Sequence, residues 1–139
     1  MKKRKEKKKG KIIMENKNYK KFKYQNYENC YFVVNSYLAD KKAMAIAIEN
    51  DEGPITYCTV YEHESLYSEN ITVIKNYSEN SHLTEFLKKL GIVIDIIYRV
   101  PYNRFSLDSL NGDNPQTFDT CIIDTDKLKE YCKIWNYNV

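Results

Sequence analysis

Between Tyr31 and Tyr61 the sequence reads as strand, and turn signals break the run into three. Tyr31 to Leu38 is dominated by β-branched and aromatic residues, and Asp40-Lys41-Lys42 makes a short polar turn. Ala43 to Ile48 then sets alanines on one face against Met44, Ile46 and Ile48 on the other. Glu49 to Pro54 supplies a turn in which conformationally free Gly53 precedes φ-fixed Pro54. Ile55 to Tyr61 alternates again. Three short strand-like segments joined by turns predict an antiparallel meander.

Helical periodicity is strong at two later places. Leu83, Phe86, Leu87 and Leu90 fall at i, i+3, i+4 and i+7. Ser81 is the expected N-cap of this helix, Glu85 lies near its positive end, Lys88 and Lys89 near its negative end, and Gly91 suits a left-handed stop. Leu128, Tyr131, Cys132 and Trp135 repeat the spacing behind an expected cap at Thr125. Ile71 to Ile74, Ile92 to Val100 and Thr120 to Asp124 read as strands, and residues 108–117 as a loop. The expected fold class is therefore α+β: an antiparallel sheet of about five to six strands with two helices on one face, a two-layer sandwich. Residues 31–139 form the expected single domain. Residues 1–30 read as a basic segment, disordered or leader-derived, and residues 15–29 within it as a linker or poorly specified first strand.

Charge divides the chain unevenly. Residues 1–13 hold eight basic side chains and one acid, whereas residues 14–139 hold fourteen basic and eighteen acidic, so the net +3 is +7 on a short tail and −4 on the remainder. From Gln25 onward the balance is ten against seventeen, which would repel a phosphate backbone unless its cations cluster. The tail's Lys, Arg, Glu and Gly have purine-rich codons, and Gly10 stands four codons ahead of Met14. That spacing suits a ribosome-binding run before a start codon, so one expectation makes Met14 the native initiator and residues 1–13 a translated leader. The other makes the tail a basic arm that attracts nucleic acid or anionic lipid.

Chemistry-bearing residues are sparse. His63 and His82 lack metal-ligand or nucleophile spacing around them, and no phosphate-cradling glycine motif occurs among the four glycines. Cys30, Cys58, Cys121 and Cys132 are scattered, as expected of reduced core thiols in a cytoplasmic protein. Asp108 with Asp113-Asn114-Pro115 has donor types for a divalent ion and equally the composition of a turn. No catalytic residue, metal site or cofactor is expected, and no enzyme activity. No apolar run is long enough for a membrane span.

Two surface features bear on partners. Glu49, Asp51, Glu52, Glu62, Glu64 and Glu69 fall in a turn and a loop, expected at neighbouring ends of the meander, where they would merge into one negative patch. Such a patch is either a solvated rim or a docking face for a basic protein partner, such as the cationic groove of a nuclease. The second feature interleaves Tyr19, Phe22 and Tyr24 with Lys17, Lys20, Lys21 and Lys23. Aromatics for base stacking beside cations for phosphate suit single-stranded nucleic acid, and the same residues suit a strand packed on a sheet.

Val34-Asn35 with Tyr37, Ala45 to Ile48, Glu52-Gly53-Pro54, Thr59-Val60, Lys75 to Asn80 and Gly91-Ile92-Val93 together resemble a family of small proteins of unknown function carried by bacterial phages and conjugative elements. The resemblance covers about residues 31–107 and departs at Tyr61-Glu62. It implies a mobile-element accessory protein, a group that includes inhibitors of host defence and anti-CRISPR proteins. The expected function is accordingly a non-enzymatic inhibitor that binds a host CRISPR effector or other defence nuclease in the bacterial cytoplasm. The alternative is a nucleic-acid-binding accessory module built on the basic, tyrosine-rich N-terminal segment.

Overall fold

The computed structural model describes residues 6–8, 11–62, 65–103 and 115–137. Strands β1 (Glu6–Lys8) and β2 (Lys11–Glu15) form a hairpin. Strand β3 (Phe22–Tyr24) turns back antiparallel onto the start of β4 (Tyr27–Ser36). The meander follows: β4 pairs antiparallel with β5 (Met44–Asn50), and β5 with β6 (Gly53–Tyr57). Phe32 lies opposite Ile48 and Val34 opposite Ile46, so the large alternating residues of both strands meet on one buried face.

Strand β7 (Ile71–Asn76) leads through a short 3-10 turn (Ser78–Asn80) into helix α1 (Leu83–Lys89). Leu83 and Leu87 of α1 are fully buried, as the stripe requires, while His82 rather than Ser81 occupies the N-cap position. Gly91 ends the helix at φ +81°, the left-handed turn that its lack of a Cβ permits. Strand β8 (Val93–Pro101) follows, then β9 (Thr117–Ile123), which lies between β7 and β8 in a three-stranded antiparallel sheet. Of the expected loop at 108–117, residues 108–114 lie outside the described residues, and Thr117 already belongs to β9.

Helix α2 (Thr125–Glu130) is capped by Asp124, whose side chain accepts from the Lys127 N–H at 3.0 Å, rather than by Thr125. Two helices are present among the described residues, as expected, but the second is shorter than its apolar stripe predicts. Only Leu128 of the apolar stripe is helical; Cys132 and Trp135 belong to strand β10 (Cys132–Asn136). A lone helix of two or three turns is marginal in water. The same residues gain a ladder on both sides as a strand, parallel to β4 and antiparallel to β2. The larger sheet thus runs β1-β2-β10-β4-β5-β6, with β3 also on β4, and the fold is a sheet-rich α+β arrangement of two sheets.

The main core lies where β4 and β5 meet α1 and the smaller sheet, with Phe32, Ile46, Ile48, Leu83, Leu87, Ile92, Ile123 and Leu128 at its centre. Phe22 and Tyr24 are part of it. The expected domain boundary between residues 30 and 31 therefore falls inside β4, and residues 22–30 belong to the body.

A second device ties the smaller sheet to α1. Fully buried Asp119 receives Arg99 Nε and an Arg99 terminal nitrogen at 2.8 Å each, and the hydroxyls of Thr84 and Thr117 at 2.6 Å. Asn76 completes the group by accepting from the Thr84 N–H and donating to Thr117. Every member is satisfied, the condition under which a buried charge is tolerated.

Candidate nucleic-acid interface

After β2 the chain runs alongside α2 and β10. The Asn16 N–H donates to the Lys133 carbonyl at 2.8 Å, and the Lys20 N–H to the Glu130 carbonyl at 2.7 Å. These bonds join stretches more than a hundred residues apart in sequence. Residues 15–21 and 126–133 together carry six lysines (Lys17, Lys20, Lys21, Lys127, Lys129 and Lys133) against Glu15, Asp126 and Glu130, a balance of +3. Strands β1 and β2 extend the sheet beyond β10. The backbone bonds thus bring two lysine-bearing stretches side by side.

Local contacts organise this cationic surface. The Lys20 ammonium pairs with Glu130 at 2.8 Å, and Lys127 approaches the same carboxylate at 3.5 Å. The hydrogen bond between Lys20 and Glu130 holds the Glu130 carboxyl below its ordinary range and raises the Lys20 pKa. Three lysines lie over aromatic rings: Lys129 over Trp135 at 4.7 Å, Lys133 over Tyr31 at 4.9 Å and Lys20 over Tyr131 at 5.8 Å. Cation–π contact with the half-buried rings of Trp135 and Tyr131 and the buried ring of Tyr31 keeps these flexible side chains close to the body.

The residues expected to bind nucleic acid divide into two groups. Lys17, Lys20, Lys21 and Lys23 are exposed, and Tyr19 is half-buried with its ring edge against Tyr31 at 5.3 Å. Phe22 and Tyr24 point the other way. Phe22 packs 4.6 Å from Phe32, and Tyr24 donates its hydroxyl to Asn80 at 2.7 Å while its ring meets Phe86. Burial pushes the Tyr24 hydroxyl pKa up. Neither ring is available to a base, because a three-residue alternation puts Phe22 and Tyr24 inward and Lys23 outward.

The acidic loops do not merge. Glu49, Asp51 and Glu52 sit at the β5–β6 turn, where exposed Glu28 joins them through the Asn50 side chain's bond to its carbonyl. Glu69 lies at the other end of β5. There the Tyr137 hydroxyl bridges the carbonyls of Lys42 and Ser68, and Thr72 donates to the carbonyl of Met44. Glu62 is held near that second end, its N–H donating to the Tyr67 hydroxyl. Seven residues of β5 separate the groups, about 20 Å at roughly 3.3 Å per residue. Glu64 lies outside the described residues, as do His63, Asp108, Asp113 and Asn114.

Among the described residues no group of three His, Cys, Asp or Glu side chains could hold a metal ion, and His82 is exposed at the start of α1. No helix among them is long and apolar enough to cross a membrane. No family model, curated protein or solved structure matches this chain.

Proposed function

We propose that this chain is a nucleic-acid-binding accessory protein whose interface is the lysine surface shared by residues 15–21 and 126–133. The observation that carries this reading is the backbone pairing of Asn16 and Lys20 with Lys133 and Glu130, which turns two separate basic stretches into one surface. Phosphate contacts of this kind release counterions, so affinity should fall steeply with salt. The test is fluorescence anisotropy with a labelled oligonucleotide across salt concentrations. Replacing Lys20, Lys129 and Lys133 with Gln flattens the log–log salt slope by roughly 0.7 to 0.9 per lost phosphate contact. An unchanged slope, or no binding at low salt, rejects the reading.

A second reading is the host-defence inhibitor that the phage-family resemblance implies. What supports it is the exposed Glu28, Asp51 and Glu52 around one turn, a set suited to a cationic protein groove. The two readings separate on affinity purification of a chain that starts at Met14. A stoichiometric host nuclease favours inhibition, and co-purifying nucleic acid favours the lysine surface.

A further inference from the structure

Trp135 of β10 lies beneath Lys129 of the lysine-bearing stretch. Its indole N–H donates to the Tyr137 carbonyl at 3.0 Å, and the Tyr137 ring meets it edge-on at 6.1 Å and 88°, so the ring plane is fixed from one end. The Lys129 ammonium rests over the ring at 4.7 Å, held by an exposed, flexible side chain. Two shallow concavities share Lys129 and Trp135 as their common wall. One, of about 210 Å³, is bounded by Met14, Asn16 and Cys132, and the other, of about 190 Å³, by Glu69, Thr125 and Tyr137.

Lys129 and Trp135 bound both concavities, so moving the flexible Lys129 side chain aside widens each of them toward the indole, and the two with the ring between them make a trough. We infer that this trough takes single-stranded nucleic acid, with one base stacked on Trp135 and Lys129 moved onto the adjoining phosphate. The inference rests on the nucleic-acid reading above and narrows it. A base–aromatic stack outweighs the exposed cation–π contact it displaces, and every base has a π-face to offer. Bases of a duplex are already stacked and cannot reach the ring. The Glu69 carboxylate lines the second concavity and repels phosphate, which leaves the side bounded by Met14 and Asn16 to the backbone of the strand.

Trp135 is the chain's single tryptophan, so its emission reports on this ring alone. The experiment titrates the full chain at low salt with a short oligothymidylate and, separately, with a hairpin duplex of matched charge, reading tryptophan emission and anisotropy together. Oligothymidylate should quench the emission to saturation and bind at least tenfold more tightly than the hairpin. Trp135→Phe should keep the affinity within about threefold, and Trp135→Leu should lose roughly 5- to 150-fold, the measured range for removing one base stack. Salt-sensitive binding without quenching, or equal affinity for the hairpin, overturns the inference and leaves the lysine interface standing. Failure of both nucleic acids to bind removes both.

Discussion

The Lys20 ammonium and the Glu130 carboxylate stand 2.8 Å apart across 110 residues of sequence, fastening the N-terminal segment to the end of α2. Glu130 is held below its ordinary value of 4.5 by this bond and by Lys127, and Glu79 is likewise held down, chiefly by its bond to Lys75. A carboxylate with a depressed folded-state pKa contributes stability that is fully present above its unfolded value and is lost as pH falls through the folded one. Urea midpoints should therefore stay level on this account from neutral pH down to about 5 and decline below about 4.5. In a Lys20→Gln, Lys75→Gln double variant the acid-side decline should be shallower. The Lys20–Glu130 pair is solvent-accessible and Lys75–Glu79 partly so, and molar salt should therefore shrink the difference.

Asp119 gives a larger effect because nothing replaces it. Asp119→Ala leaves the Arg99 guanidinium partly buried without its bidentate partner and strands the hydroxyls of Thr84 and Thr117. The expected loss is about 3 to 5 kcal/mol in urea unfolding, the cost of breaking a buried ion pair. Thr117→Val should cost nearer 1 to 2 kcal/mol. Equal losses for the two variants would mean that the charge does not organise the group.

Gly91→Ala should destabilise by roughly 1 to 2 kcal/mol, since an L-residue is strained at φ +81°. Contact adds little, because a Cβ there would meet only the movable Lys127 side chain, at 3.4 Å. Gly91→Asn should recover part of the loss, because asparagine tolerates this conformation better than alanine does. Thermal melts of the three proteins check the order.

All four cysteines are free and buried, and burial pushes the thiols of Cys121 and Cys132 up to about 12. The thiolate is the reactive form, so none should react with a water-soluble disulfide reagent at pH 8 in the folded protein. Four thiols should titrate once denaturant is added. Rapid labelling of one in the native state would show an opening motion at its strand.

The meander and α1 were legible in the sequence because their signals are local: alternation between turn residues, and a stripe closed by Gly91. The end of α2 was not. Leu128, Tyr131, Cys132 and Trp135 satisfy helical spacing, and the interaction that overrides it is parallel pairing of Cys132 with Phe32, a hundred residues away. The same long-range pairing hid half of the candidate interface. Lys17, Lys20 and Lys21 could be named from the sequence, whereas Lys127, Lys129 and Lys133 look like ordinary helix-end charges until β10 sets them beside Asn16. The acidic loops were misplaced for a simpler reason. Successive connections of an antiparallel meander alternate between ends, so the turn holding Asp51 and the loop holding Glu69 belong on opposite sides.

The position of β10 between β2 and β4 also orders events during synthesis. A ribosome delivers residues 11–21 early, yet their hydrogen-bonding neighbour, residues 130–136, emerges more than a hundred codons later. Until then the early lysines have no surface to join, so a prematurely terminated product would retain the meander while lacking an assembled interface.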